Sequence, residues 1–472
     1  MSRAPNRQVS FADLEFHQQG IFLPPVRQTI SDFLDEHEEM IEKVRGDLER
    51  GLKNPVTGRS GLTPAQVLRS LILMRVKNWT YRELSERIAD GYTLRGFTDF
   101  RSQPVPQHHA FNRAFNRLTP ETLQAVNELV VQAAVGLGLE DGHQLRVDTT
   151  VVETDIHHPT DNTLLWDTVR VITRLIRYLA QAVGCRMKGF RNRTRAARRR
   201  MQAIQRLTTL QRHQQQTKKY RQLITITEQV VASARRVLKQ TRKARGKDLQ
   251  GDSIISSLRR EIDHYCQLGE RVIDQARRRV LEGEQVPSAE KIYSIFEPHT
   301  DLIKRGKVQR PVEFGHKVFL AESAQGLITQ YAVLPGNPCD EGYVEPSLQR
   351  HRETFGHAPG LYGSDRGFYS ENNVKACRHQ GVKTVCIPQR GGQKSSRRQA
   401  YEKSSAFKKG QRFRAGIEGR ISVLFRGRGM KRCRAEGRER FELLVGAAVL
   451  ANNLLRIAAL LTQSAHRKRP AV

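Results

Sequence analysis

The chain has 472 residues, enough for two to four domains or for one catalytic core with large additions. Its 80 lysines and arginines against 48 aspartates and glutamates leave a net charge of +32. That excess points to a polyanionic partner, because each cation set on a phosphate releases a condensed counterion, although charge alone leaves an anionic membrane surface open. Six cysteines without a CxxC pair exclude a disulfide framework and a zinc ribbon and suit a reduced, cytoplasmic protein.

Residues 1–60 read as a leader that packs partly as helix; Met1 to Gln18 lacks the apolar stretch of a signal peptide. Compact structure becomes legible at Leu62. Thr63-Pro64-Ala65-Gln66 reads as a capping box, and Leu68, Leu71, Ile72 and Val76 follow at helical spacing. Thr80-Tyr81-Arg82-Glu83 opens a second helix that Gly91 ends. A third carries Phe111, Phe115 and Leu118, and a fourth runs from Thr119-Pro120 to about Gly136. Residues 61–140 therefore form an all-helical domain. Its arginines, Arg82, Arg87, Arg95, Arg101 and Arg113, make it a candidate DNA-binding bundle, with dimerisation as the plainer use.

The pattern changes at His143, where Leu145, Val147, Val151 and Val152 read as one or two strands. Beyond Pro159, with Asp161 as N-cap, two or three long helices reach to about Gly283 and hold the densest cationic run, Arg186 to Arg200. Strands are expected at Tyr293–Phe296, Val312–Leu320 and Ile328–Leu334, with turns at Arg305-Gly306 and Gln325-Gly326. Tyr343–Phe355 reads as helix, Gly360–Asp365 as a short strand ending on an aspartate, Ser370–His379 as helix and Lys383–Ile387 as strand. A loose basic segment, Gln389–Lys409, precedes a helix over Phe413–Phe425 and a closing one over Arg438–Leu461. The apolar run Phe441–Leu461 carries Glu442, Asn452, Asn453 and Arg456, so it suits a buried helix better than a membrane span.

Three acidic residues sit where a reaction could use them. Asp148 lies in or at the end of an apolar strand, where a charge is costly unless used. Asp365 follows a strand and precedes the Arg366-Gly367 turn. Glu418 lies in a helix crowded with Arg412, Arg414, Arg420, Arg426 and Arg428. Two-metal phosphoryl transfer needs carboxylates that hold ions about 3.5–4 Å apart, one activating the attacking water or 3′-hydroxyl and the other stabilising the leaving oxygen. Hard oxygen ligands suit Mg²⁺, with Mn²⁺ able to substitute. Each residue also has a plainer reading: Asp148 as a turn cap, Asp365 as a helix start, Glu418 as a partner of its arginine neighbours.

The run Val147-Asp148-Thr149-Thr150-Val151-Val152-Glu153-Thr154, continuing to Asn162, resembles the first-aspartate block of insertion-sequence transposases of the DDE class. Tyr362-Gly363-Ser364-Asp365-Arg366-Gly367-Phe368-Tyr369 is similar to their second block. Arg414-Ala415-Gly416-Ile417-Glu418-Gly419-Arg420 resembles the third, where an arginine stands four residues before the glutamate. Trp79–Leu84 and Phe97–Phe100 resemble the N-terminal helical domain, and Ala451–Leu454 fits the closing stretch. The resemblance spans roughly residues 60–460, with 165–285 least matched.

It implies an α/β fold: an RNase H-like core with a mixed five-stranded sheet, preceded by the all-helical domain and interrupted by a long helical insertion. The core would comprise residues 141–163 and 291–462, with 164–290 as the insertion and 463–472 as a basic tail. The implied catalytic and metal-holding residues are Asp148, Asp365 and Glu418. Arg414 is the implied phosphate contact, with Arg366, Arg420, Lys317 and Arg426 as further DNA-binding candidates. Many relatives carry a tyrosine three residues before the arginine and a cation seven after the glutamate; here Gln411 and Phe425 stand there, with Arg426 one position later.

The implied activity is nicking of element ends and strand transfer, with double-stranded DNA as partner and a homodimer on the DNA. The alternatives are a nuclease of the same fold that does not join, and a DNA-binding regulator descended from such an enzyme. His157 and His158 read as positioning or loop-capping groups, Asp340 and Glu341 as a helix N-cap. Lys304, Arg305, Lys307 and Arg310 read as a basic turn, and Gly391-Gly392 with Lys394, Arg397 and Arg398 as a loop that orders on DNA.

Overall fold

The computed structural model describes residues 22–52, 54, 61–246, 248–304 and 312–467. The chain divides into two compact units: Met1–Val152 with Lys317–Val472, and Glu153–His316.

The first unit opens with α1 (Pro25–Glu36) and α2 (Glu39–Glu49), inside the stretch expected to be a leader. Ile30, Phe33, Leu34, Met40 and Val44 recur at helical spacing and share one core with α3 (Pro64–Lys77). Neither start carries a side-chain cap, so these helices lack the usual sequence signal. Helices α3 and α4 (Tyr81–Asp90) begin at the expected capping boxes, Thr63 with Gln66 and Thr80 with Glu83. Helices α5 (Tyr92–Phe97), α6 (His108–Phe115) and α7 (Pro120–Gly136) complete this part. Buried Arg69 binds α3 to α1, donating to Ser31 Oγ at 2.8 Å and Asp35 Oδ1 at 3.0 Å. Arg95, expected on the surface, folds back to the carbonyls of Arg101 and Gln103, both at 2.7 Å.

Strand β1 (Gln144–Thr154) passes from the first unit into the second at Val152. Among its described residues the second unit holds four α-helices where two or three were expected: α8 (Asp161–Val183), α9 (Thr194–Gln205), α10 (Thr209–Gln240) and α11 (Leu249–Ala276). Leu165, Ile172, Leu223, Ile262 and Val272 share their core. Thr160, rather than Asp161, is the N-cap of α8; Asp161 is buried and accepts from Gln275 Nε2 and Arg279 Nη1, each at 2.9 Å. Tyr293–Phe296 forms no strand. The Ile292 amide donates to Gln275 Oε1 at 2.8 Å and its carbonyl accepts from Gln275 Nε2, so a side chain meets backbone groups that a ladder would otherwise use. Strand β2 (Asp301–Lys304) pairs antiparallel with the opening of β3 (Val312–Ser323). Arg305, Lys307 and Arg310 of the expected basic turn lie outside the described residues.

The first unit resumes with the rest of β3, β4 (Ile328–Val333), α12 (Val344–Phe355) and β5 (Leu361–Gly363). Then come α13 (Glu371–His379), β6 (Thr384–Cys386), α14 (Ser396–Lys403), α15 (Ser405–Gly427), β7 (Arg432–Cys433) and α16 (Arg438–Arg467). The expected mixed sheet is present, in the order β4-β3-β1-β5-β6, with β7 also pairing to β1. Strands β3 and β4 are antiparallel, whereas β1, β5 and β6 run parallel. Alternation along β3 sends Phe319 and Ala321 to one face, packed with Val344 and Leu348 of α12, and Val318 and Leu320 to the other, packed with Leu424 of α15 and Val445 of α16.

The segment expected to be loose, Gln389–Lys409, holds α14 and the start of α15. Glu402 gathers it, accepting from the Gln389 amide at 2.9 Å, Lys394 Nζ at 2.5 Å and Arg398 Nε at 2.8 Å. Local charge pairs thus order a stretch whose composition suggested otherwise.

Helix α16 is long and apolar enough to cross a membrane, but 72% of its apolar window is buried inside the protein. Its Asn453 is fully buried and brackets one residue of β4: the side chain accepts from the Ile328 amide and donates to the Ile328 carbonyl, both at 2.9 Å. Asn453→Leu leaves both backbone groups unmet at about 1–3 kcal/mol each, so a loss of a few kcal/mol is expected in chemical denaturation. A change below about 0.5 kcal/mol would show that water reaches Ile328 instead.

Candidate active site

Parallel register brings the two aspartates together. Arg146 of β1 pairs with Gly363 of β5, and Asp148 and Asp365 each lie two residues further along their strands. Leu145 and Val147 pack into the core beside α12, so Arg146 and Asp148 point to the opposite face, where α15 lies. Contacts fix that placement: Arg146 Nη1 donates to the Phe413 carbonyl at 2.7 Å, and its guanidinium lies 4.8 Å from the Phe413 ring centre. The absence of a side chain at Gly416 leaves room for this guanidinium, since a Cβ there would sit 2.1 Å from Arg146 Nη1.

All three sequence-derived carboxylates converge on one guanidinium. Arg414 Nη2 lies 2.9 Å from Asp148 Oδ2 and 4.0 Å from Asp365 Oδ2, while Nη1 lies 3.2 Å from Glu418 Oε1. Arg414 and Glu418 are one helical turn apart on α15, the spacing at which side chains meet. Asp365 also accepts from the Gly367 amide at 2.8 Å, which starts the short 3₁₀ turn Arg366–Phe368. Asp148 accepts from the Thr149 amide at 2.8 Å.

The three differ in exposure. The Asp148 side chain is 13% exposed, Asp365 38% and Glu418 69%. Burial pushes the Asp148 carboxyl up to about 6; Arg414 pulls it down, and Asp365 and Asp340 push it further up. Asp340, expected to cap a helix, instead accepts from Thr149 Oγ1 at 2.9 Å and from Lys317 Nζ at 3.2 Å, so a fourth carboxylate borders the cluster. Nothing in the spacing of the sequence pointed to it.

The expected DNA-contacting residues separate into two groups. Arg366 and Arg426 are exposed. Lys317 and Arg420 are drawn into the protein. Lys317 Nζ is held by Asp340 and by the Pro338 carbonyl at 2.7 Å. Arg420 Nε is 2.8 Å from Glu322 Oε1, and Arg420 Nη1 donates to Asn452 Oδ1 at 3.1 Å. Gln411, where relatives carry tyrosine, donates to the Cys386 carbonyl at 2.6 Å and closes the end of β6. In the second unit His157 pairs with Asp167 at 3.1 Å, which raises its pKa, and His158 lies against the Phe314 ring.

Oxygen-only donors suit a hard divalent ion. Among the described residues, however, no three Asp, Glu, His or Cys side chains already stand at ligating distances from a common point. The carboxylates are instead joined through Arg414, so the donor set fits a metal in kind and would have to close on it.

Residues 25–117 match the family model described as a transposase domain (DUF772). This part of the chain is a transposase domain. It begins with α1, inside the stretch that sequence patterning had read as leader, and ends just after α6. No curated protein and no solved structure matches the chain. Within the transposase domain a cleft of about 390 Å³ is lined by Arg27, Lys77, Trp79, Arg87 and Leu94, a mixture of cations and an aromatic ring that suits a nucleic-acid backbone.

Proposed function

We propose that the chain is a DNA transposase of the DDE class with an RNase H-like core, acting in the cytoplasm as a homodimer on element terminal repeats and target DNA. Its carboxylates Asp148, Asp365 and Glu418 would hold Mg²⁺, or Mn²⁺ in its place. The convergence of these three side chains on one guanidinium carries the reading. They come from three separate sequence blocks, which the parallel register of β1 and β5 and the position of α15 bring together. The strand order, with an antiparallel β3/β4 pair beside a parallel β1/β5/β6 set, Asp148 in β1 and Asp365 just beyond β5, supports the fold assignment. The transposase domain supports the activity.

A bound divalent ion supplies neutralisation of charge at phosphorus and activation of the attacking water or 3′-hydroxyl. The chain's own groups do the rest. Asp148, the most buried of the three carboxylates, and Asp365 would hold the ion from the sheet side, and Glu418 would complete its hold from α15. Exposed Arg366 and Arg426 flank the cluster in sequence and would hold backbone phosphates. In the second unit Arg191, Arg195, Arg198 and Arg199 are exposed, and none makes an ion pair among the described residues, which suits a further phosphate contact. Arg235, Arg277, Arg278 and Arg279 are paired with acidic side chains and do not.

The test is nicking of a labelled duplex carrying a candidate element end by wild type and Asp365→Ala, with Mg²⁺ and with chelator. Metal-dependent nicking that disappears in the variant while DNA binding persists is expected. Binding without nicking in both proteins leaves a DNA-binding regulator, and nicking without joined product leaves a nuclease.

A further inference from the structure

We propose that Arg414 is the site's own counter-cation, which a divalent ion displaces and which then becomes free for a DNA phosphate, so that metal and DNA binding are coupled through one side chain. The proposal rests on the metal-site reading above.

The first observation is position. The Asp148 oxygen nearest Arg414 is bonded to Nη2 at 2.9 Å, and the same guanidinium reaches the other two carboxylates. A Mg²⁺ ligand oxygen stands about 2.0–2.1 Å from its ion. An ion using that Asp148 oxygen would share its lone pairs with a second cation at close range, in a site where the Asp148 side chain is 13% exposed. Two cations repel there more strongly than in water. The weaker-held one leaves.

The second observation is that Arg414 is poorly held by the measure of its neighbours. Its Nε is buried and has no hydrogen-bond partner. Arg146 uses all three of its nitrogens: Nε and Nη2 go to Glu322, each at 2.8 Å, and Nη1 goes to the Phe413 carbonyl. Arg420 uses Nε for Glu322 and Nη1 for Asn452. Those two arginines are built into the fold. Arg414 leaves a buried donor unmet, a cost that ends when the side chain swings out.

The third is charge balance. Asp148, Asp365 and Glu418 crowd three carboxylates around one guanidinium, with Asp340 bordering them through Thr149, and Arg414 is the cation that all three reach. A divalent ion supplies more positive charge and makes the arginine redundant. The Arg414 side chain is 16% exposed, and Glu418, a turn ahead on α15, is 69% exposed, so the way out runs past Glu418 toward solvent. Freed there, a guanidinium suits phosphate.

The experiment uses the full chain as wild type, Arg414→Ala and Arg414→Gln. Mn²⁺ affinity without DNA is read by electron paramagnetic resonance, and DNA affinity against salt is read with and without Ca²⁺. The glutamine variant removes the charge while keeping a hydrogen-bonding side chain, should the alanine variant fold poorly. Both variants are expected to bind Mn²⁺ about tenfold more tightly than wild type, since a competitor worth about one charged hydrogen bond is gone. In wild type, Ca²⁺ is expected to steepen the salt dependence of DNA binding by about 0.9 more than in the variants, the share of one added phosphate contact. Unchanged or weaker Mn²⁺ binding by both variants, with wild type binding normally, overturns the counter-cation role and leaves the metal site standing. Failure of wild type to bind Mn²⁺ at all overturns the metal-site reading itself, and this proposal with it.

Discussion

Glu322→Ala is expected to destabilise the first unit by about 3–5 kcal/mol, read by urea denaturation. The Glu322 side chain has no solvent exposure and lies between two guanidiniums, 2.8 Å from Arg146 Nη2 and 2.8 Å from Arg420 Nε. Removing it leaves two largely buried cations facing each other. A buried ion cluster can be no more stabilising than apolar side chains of similar volume. The triple change Arg146→Met, Glu322→Leu, Arg420→Met is therefore expected to recover much of the loss. It is not expected to recover nicking, because Arg146 also binds the Phe413 carbonyl, next to Arg414, and so sets α15 over β1. If Glu322→Ala melts within a degree or two of wild type, the cluster is solvated and this account of how α15 is positioned fails.

Local character placed the three carboxylates on their elements, an apolar strand around Asp148, a strand-to-turn junction at Asp365 and a helix around Glu418, while only the resemblance of their blocks singled them out as a set. Local character also gave α3 and α4 through their capping boxes. What could not be read was mostly non-local. Helices α1 and α2 are folded because α3 and α16 cover them, with Leu34, Leu68 and Leu454 in one core, and their own ends carry no cap. Tyr293–Phe296 has strand composition, but Gln275, 17 residues earlier than Ile292, takes the Ile292 backbone groups. Glu322 lies just past the expected strand Val312–Leu320, and its partners Arg146 and Arg420 come from distant segments. The resemblance of its block to the DDE transposases singles out Arg414 and implies a phosphate contact. Its present partners are the carboxylates, a relation that spacing gives for Glu418 and could not give for Asp148, 266 residues away.

Asp148→Asn separates activity from stability. On the proposed mechanism nicking is expected to fall by about a thousandfold or more, since the most buried of the three carboxylates that would hold the ion loses its charge. Stability in metal-free buffer is expected to hold or rise. Burial has pushed the Asp148 carboxyl from the ordinary aspartate value near 3.8 up to about 6 in the folded chain. The folded state thus holds this proton more tightly than the unfolded state. Ionising Asp148 therefore costs nothing below about pH 4, and the cost grows until pH passes 6, reaching about 2–3 kcal/mol at most. Asparagine has no charge to desolvate, so it escapes this cost and gives up only the pairing with Arg414. Denaturation at pH 8 should show the variant at least as stable as wild type, and at pH 4 the advantage should vanish. Added Mn²⁺ should reverse the order at pH 8, because wild type gains from binding the ion and the variant does not. A variant clearly less stable than wild type at pH 8 without metal would mean that the Arg414 pairing outweighs burial at Asp148. A site whose carboxylate is costly until an ion arrives is poised for that ion, and the pH 8 comparison measures how strongly.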